Sequence, residues 1–174
     1  MQLNKQVFLF LNSLANKNSV LDAIWVFFAQ YAIFIFGLVL IYFLYSDKKL
    51  FFRLTASAIG TVILVALIKK IWPFPRPFLQ EGARLLITHL PDSTFPSKHT
   101  ALAFALAMGV FFKRKRLGIW LLILASFIGL SRIIVGVHYP LDISAGIAIG
   151  IGIAGLNNKF VMRPRSSAGR AAVS

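Results

Sequence analysis

Along this chain, long apolar runs alternate with short polar connections. The clearest run extends from Ala23 to Tyr45 without a charge, long enough at about 1.5 Å per residue to cross a hydrocarbon core of roughly 30 Å as one helix. Ser19 with Asp22 three positions on reads as its N-terminal cap, and Ser46-Asp47-Lys48-Lys49 ends it. Leu54–Ile68, Thr100–Phe112, Leu117–Ser131 and Ile143–Asn158 are shorter runs with Lys or Arg at one or both ends, side chains that can snorkel to the headgroups. The pattern predicts an all-α polytopic membrane bundle with spans over about 20–45, 53–70, 98–113, 117–132 and 141–158, forming one domain through residue 162. Residues 1–16 place Leu3, Val7, Phe8, Leu11 and Leu14 at helical spacing, with Asn4, Lys5, Gln6 and Asn12 elsewhere on the wheel. This suits an amphipathic interfacial helix, with a sixth span as the alternative. The apolar centre is too brief for a signal peptide. The stretch 163–174, basic and aperiodic, is expected to be disordered.

Composition agrees with a bilayer as solvent. Of 174 residues, 58% are hydrophobic and 14% charged, with mean hydropathy +0.78, where a water-soluble domain needs about a quarter charged. A cytosolic enzyme is thereby set aside. The chain has 19 Lys+Arg against 5 Asp+Glu, a formal charge of +14, but the charges sit between apolar runs. The densest cluster, Lys113 to Arg116, is a short loop explained by topology, so nucleic acid is not expected as a partner. Without cysteine there are no disulfides or thiolate sites. Counting spans places Lys48, Lys49 and Arg53, then Lys113–Arg116, then Lys159, Arg163, Arg165 and Arg170 on one face, which the positive-inside rule makes cytoplasmic. The other face receives about 69–99 and 132–142, which hold every histidine of the chain.

Three segments on that face carry chemistry. In Lys69-Lys70-Ile71-Trp72-Pro73-Phe74-Pro75-Arg76-Pro77 the prolines stop the helix and hold Arg76 on stiff, extended backbone. Either lysine alone could equally be a snorkelling helix end. In Thr94-Phe95-Pro96-Ser97-Lys98-His99-Thr100, a helix starting near Ser97 offers the free amides of Lys98, His99 and Thr100, and the Ser97 hydroxyl, to an anion. The same residues by themselves fit an ordinary capped helix with a loop histidine. In the segment from Ser131 to Asp142, Arg132 closes an apolar helix, and His138 and Asp142 are spaced to meet once Pro140 sets the first turn of the next. A carboxylate there can hold one imidazole proton so that the other ring nitrogen presents a lone pair. The plainer alternative is an acid stabilising a helix N-terminus beside an interfacial histidine.

Taken together, the segments supply cations as phosphate clamps, amides as further donors, and two histidines suited to in-line attack and leaving-group protonation. With so few carboxylates, phosphoryl transfer without a metal or other cofactor is expected. A zinc site of His89, His99 and His138 matches no compact ligand spacing. In the outer loop, Glu81, Arg84, His89 and Asp92 are assigned to solvation. Trp72, Phe74, Phe78 and Phe95 either anchor that loop at headgroup level or line a path for a lipid.

The order Lys-x6-Arg-Pro (Lys69 to Pro77), Pro-Ser-x-His (Pro96 to His99) and Ser-Arg-x5-His-x3-Asp (Ser131 to Asp142) resembles the three-part signature of the type 2 phosphatidic acid phosphatase superfamily. Within it, the chain looks most like bacterial undecaprenyl-diphosphate phosphatases of the bacitracin-resistance type, through Asn18-Ser19-Val20-Leu21-Asp22 and Phe95-Pro96-Ser97-x-His99-Thr100. The resemblance implies a multi-pass protein of the bacterial inner membrane with its active site on the extracytoplasmic face. His138 would attack phosphorus and become a phosphohistidine, Asp142 would orient it, and His99 would protonate the leaving group and later activate water. Lys69, Arg76, Ser97 and Arg132 would hold phosphoryl oxygens, the motif spacing selecting Lys69 over Lys70. Lys98 stands where the family commonly has Gly, or Asp in the subgroup. Its amide can still donate, and its added charge would either grip a second phosphate or crowd the site. The implied substrate is a polyprenyl diphosphate. The alternatives are phosphatidic acid or phosphatidylglycerophosphate, and, outside enzymes, an anion or phospholipid transporter.

Overall fold

In a computed structural model that describes residues 2–79 and 82–161, the chain forms seven α-helices and, among the described residues, no strand. They are α1 (Gln2–Asn12), α2 (Ser19–Gln30), α3 (Ile33–Ser46), α4 (Lys48–Ile71), α5 (Lys98–Phe111), α6 (Lys115–Ile134) and α7 (Pro140–Val161), with a 3-10 turn at Pro77–Leu79. The expected disordered stretch at 163–174 and the loop acid Glu81 lie outside the described residues.

The helices α4, α6 and α7 are long and apolar enough to cross a membrane. The run expected to form one span over 20–45 is instead two helices, α2 and α3, bent by 44°. At the break the ladder leaves its regular spacing: Ala32 N–H donates to Phe27 O at 3.1 Å, and Phe34 N–H donates to Tyr31 O at 2.9 Å. Beside it the carbonyl of Ala29 accepts from Arg132 Nη1 at 2.9 Å. A tertiary contact therefore sits at a kink that no proline or glycine marks. The N-terminal cap is Asn18, one residue before the expected Ser19; its Oδ1 accepts from the amides of Val20 and Leu21 at 3.0 and 3.1 Å. Asp22 reaches back to Asn16 N–H at 3.1 Å. Likewise Asp47 caps α4, accepting from Leu50 N–H at 3.0 Å, so this helix begins before Arg53.

The short apolar helix α5 is the centre of the bundle. Its Thr100, Ala101, Ala103–Ala107 and Val110 are buried, and it packs against α4, α6 and α7. A helix enclosed by its neighbours need not match the bilayer, which accounts for a run of only 14 residues. Alanines on α5 and glycines on α7 let the two backbones touch: a Cβ on Gly150 would stand 2.4 Å from Ala101 O. This close approach sets the first turns of α5 and α7 side by side, where Ser97 N–H donates to Asp142 O at 3.1 Å.

At that same end, α1 lies against α6 and α7. Phe8 meets Tyr139 edge to face at 5.2 Å, and the buried Asn12 amide donates to Ile134 O and Arg84 O, each at 2.8 Å. Between α6 and α7, Gly136 has φ +90° and its Cα hydrogen faces Arg84 O, where a Cβ would come within 2.2 Å. Only glycine suits both conditions. Arg84 is an exposed loop residue, as expected, but it also makes contacts that solvation alone would not require. Its Nη1 donates to Ser13 O and Ala15 O at 3.1 and 2.6 Å, fastening the outer loop to the turn after α1.

Candidate active site

The three signature segments meet at the end of the bundle where α4 and α6 finish and α5 and α7 begin. Pro140 starts α7, and Asp142 in its first turn accepts from Tyr139 N–H at 2.7 Å through Oδ2. The same Oδ2 lies 3.3 Å from His138 Nδ1. Both side chains are buried, as are Arg76 and Arg132. Burial, reinforced by Arg132, Arg76 and Lys69, holds the His138 imidazole well below the ordinary histidine value. The ring is therefore neutral at pH 7, the form that has a lone pair to give.

The cations arrive on different elements. Lys69, in the last turn of α4, turns inward and donates from Nζ to Ser93 O, while Lys70 is exposed. Arg76 donates from Nη1 to Val137 O at 2.9 Å and from Nε to Asp92 Oδ1 at 2.8 Å; its Nη2 is 2.6 Å from the same carboxylate oxygen. Asp92, assigned to solvation by its sequence context, is thus the counterion of a buried arginine, although its own side chain is 55% exposed. Partial burial pushes its carboxyl up, but the Arg76 guanidinium outweighs this and holds it below the usual carboxylate range. His89 stands near, with Nδ1 3.7 Å from Asp92 Oδ1.

Arg132, in the last turn of α6, spends Nη1 on Ala29 O, and its buried Nε has no partner among the described residues. An unsatisfied buried donor on a cation costs stability unless an acceptor arrives. A phosphoryl oxygen would be one. Ser97 is the N-cap of α5 by position, but its hydroxyl pairs with Thr100 Oγ1 at 3.0 Å and caps no amide. The first-turn amides of Lys98, His99 and Thr100 thus have no side-chain cap, and the positive helix end is left for an anion. His99 is half-buried in that turn; Lys98 is exposed beside it.

One residue at the centre was not singled out by its spacing. Thr94, fully buried, places Oγ1 2.6 Å from Asp142 Oδ2 and 3.0 Å from His138 Nδ1. It is the third of three successive residues, Asp92, Ser93 and Thr94, that between them touch Arg76, Lys69, His138 and Asp142. The only available signal was a polar residue two positions before Pro96, which is not specific. Among the described residues no group of three or more His, Asp or Glu side chains is placed to hold a metal ion.

A helical membrane bundle that gathers two histidines, buried arginines and an open helix N-terminus at one end has the build of a membrane phosphatase. Residues 50–165 match the PAP2 superfamily, and the chain belongs to it. It is 33% identical over 168 residues to undecaprenyl-diphosphatase BcrC of Bacillus subtilis (strain 168), covering 93% of this chain and 87% of that one. It is 32% identical over 155 residues to the bacitracin transport permease protein BcrC of Bacillus licheniformis, covering 86% and 76%. Among solved structures it is similar to LpxE of Aquifex aeolicus, with TM-score 0.81 and 32% identity over 90% of this chain and 95% of that one. The protein is a membrane-embedded hydrolase acting on a lipid phosphate.

Proposed function

We propose that the protein removes the terminal phosphate of a polyprenyl diphosphate, of the undecaprenyl class, through a phosphohistidine on His138. The observation that carries this reading is the His138–Asp142 pair, buried and neutral at the imidazole, set among Lys69, Arg76 and Arg132. With Nδ1 turned to the carboxylate, Nε2 attacks phosphorus. The Nε2–P bond forms as the bond to the bridging oxygen breaks, and that oxygen takes a proton from His99. Water, giving its proton back to His99, then cleaves the Nε2–P bond and releases inorganic phosphate. The unpaired Arg132 Nε, Lys69, the α5 amides and the Ser97 hydroxyl receive the phosphoryl oxygens, which gain charge in the transition state. These fixed cations supply the positive charge for which many phosphatases recruit a metal ion, so turnover is expected to survive a chelator.

Two features support a lipid diphosphate. An apolar groove of about 460 Å³, lined by Trp72, Phe74, Phe95, Tyr139 and Leu141, reaches Asp142 and offers a seat for an isoprenoid chain, with Lys5 at its margin. The exposed Lys98 adds a cation for the second phosphate. The clusters Lys48–Arg53 and Lys113–Lys115 lie at the opposite end of the bundle, which supports an extracytoplasmic site in the bacterial inner membrane. The test is phosphate release by purified protein in detergent from undecaprenyl diphosphate, phosphatidic acid and phosphatidylglycerophosphate, each with and without EDTA. Fastest release from the diphosphate, unaffected by EDTA and abolished in His138→Gln, is expected. Preference for a monoester lipid overturns the substrate; turnover in His138→Gln overturns the nucleophile.

A further inference from the structure

We propose that Thr94 is a positioning residue for phosphoryl transfer: its hydroxyl fixes the His138–Asp142 pair in the one protonation state from which His138 can attack. The inference rests on the phosphohistidine reading above and adds to it a residue outside the three signature motifs.

The geometry leaves the hydroxyl little choice. Asp142 Oδ2 already accepts from Tyr139 N–H at 2.7 Å, so at its 2.6 Å contact with Thr94 Oγ1 it again accepts and the Thr94 O–H is the donor. Its single proton is then spent, and Val137 O at 3.4 Å receives none. Toward His138 Nδ1, 3.0 Å away, Oγ1 presents only lone pairs. Nδ1 must therefore carry the ring proton, shared between Oγ1 and Oδ2, and Nε2 is left as the bare nitrogen. When Nε2 bonds to phosphorus, the ring becomes cationic and its Nδ1 proton stays in place. Thr94 guards against the competing outcome, transfer of that proton to Asp142, by donating to the same oxygen and lowering its appetite for a second proton.

Thr94 is itself held at both ends. Its amide donates to Phe74 O at 2.9 Å, and Ser93 before it accepts from Lys69 Nζ and donates to Trp72 O at 3.2 Å. The hydroxyl thus ties the nucleophile to the backbone that carries Arg76. This gives the proline-rich segment a part in orienting His138 besides placing a cation.

The charged and titratable groups around His138 are Lys69 of α4, Arg76 of the proline-rich segment, His99 of α5, Arg132 of α6, Asp142 of α7 and its chain neighbour Tyr139. All the cations oppose protonation of the ring; Asp142 favours it. Without the Thr94 donor the carboxylate pulls harder on the Nδ1 proton, and His138 becomes protonated at higher pH.

The test compares Thr94→Val, close in shape and lacking the hydroxyl, with Thr94→Ser, which keeps it. Steady-state release is measured across pH, together with alkali-quenched trapping of phosphohistidine from radiolabelled lipid diphosphate. Thr94→Val is expected to lose about 30-fold in kcat, the size expected for one hydrogen bond to a charged group. KM should move little, the acid limb of kcat/KM should shift to higher pH, and trapped intermediate should form more slowly. Thr94→Ser should restore the rate to within about threefold and return the acid limb to its place. If the valine variant does not fold, Thr94→Ala against Thr94→Ser asks the same question. Equal kcat and pH profile with and without the hydroxyl overturn the role, as does a serine variant no better than valine or alanine. Absence of any phosphohistidine in the unaltered protein instead overturns the mechanism on which the inference rests.

Discussion

Asp92 Oδ1 lies 2.6 Å from Arg76 Nη2 and 2.8 Å from Nε, so a half-exposed carboxylate neutralises a guanidinium that is otherwise buried. Removing it leaves an uncompensated internal cation. Asp92→Ala is expected to cost about 1–2 kcal/mol, less than a fully enclosed pair because water reaches Asp92. Asp92→Asn, which keeps an acceptor oxygen, should cost less. Thermal unfolding in detergent measures both. Because Arg76 also bonds Val137 O, next to His138, kcat should fall about tenfold in the alanine variant. The Asp92 carboxyl is held below its ordinary value, so its stabilisation is present above the unfolded carboxylate pKa and disappears as pH falls through the folded one.

Arg132 supplies a binding prediction that needs no turnover. Its buried Nε has no acceptor among the described residues, and an oxyanion in the site would provide one. Inorganic phosphate or vanadate should raise the melting temperature, by the equivalent of about 2.7 kcal/mol at a hundredfold excess over Kd. In Arg132→Lys, which lacks the planar fork, the same ions should stabilise far less. Equal protection of both proteins would show that this guanidinium does not meet the anion.

The helix contact beneath the site predicts a packing defect with a functional echo. A Cβ on Gly150 would be 2.4 Å from Ala101 O and 2.8 Å from Ala105 N, both backbone atoms that can move only if α5 and α7 separate. Gly150→Ala should lower stability by about 1–3 kcal/mol. It should also reduce kcat, because the Ser97–Asp142 link joins the same two helices. Gly152→Ala, with nothing within 4 Å, is the control and should leave both unchanged.

His138 is expected to weigh on the acid side of both stability and rate. Burial first, then the neighbouring cations, hold its ring well below the ordinary histidine value. The unfolded chain therefore binds a proton that the folded chain does not, and stability falls as pH drops below about 6.5. For the same reason the acid limb of kcat/KM should lie below the usual histidine range, and a basic limb should appear in kcat, where the negative charge of the bound phosphate keeps on His99 the proton that the proposed mechanism has it donate. A pH–rate series with chemistry rate-limiting checks this, and a single monotonic limb would contradict the two-histidine division of labour.

Hydropathy and motif order were enough for the helical bundle, the superfamily and the meeting of Lys69, Arg76, Ser97, His99, Arg132, His138 and Asp142 at one end. These are properties of periodicity and spacing, which a linear chain carries openly: apolar runs of a given length cross lipid, and three polar segments between them must lie where the turns lie. The inward turn of Lys69 and the outward turn of Lys70 follow from helical rotation. The signature spacing selects the first of them.

What spacing does not carry is the partner of each polar group, because partners are chosen by side chains distant in the chain. The break between α2 and α3 coincides with a bond from Arg132 to Ala29 O that no local residue announces. Asp92 looks like loop solvent until Arg76 folds onto it, and Thr94 looks like any polar residue before a helix until α7 brings Asp142 against it. The sequence by itself determined the helical membrane fold, the superfamily and the end of the bundle to which the signature residues come. Only the tertiary structure decided which donor meets which acceptor, since these bonds join residues 16 to 103 positions apart and exist only once the outer loop, α2, α6 and α7 have come together.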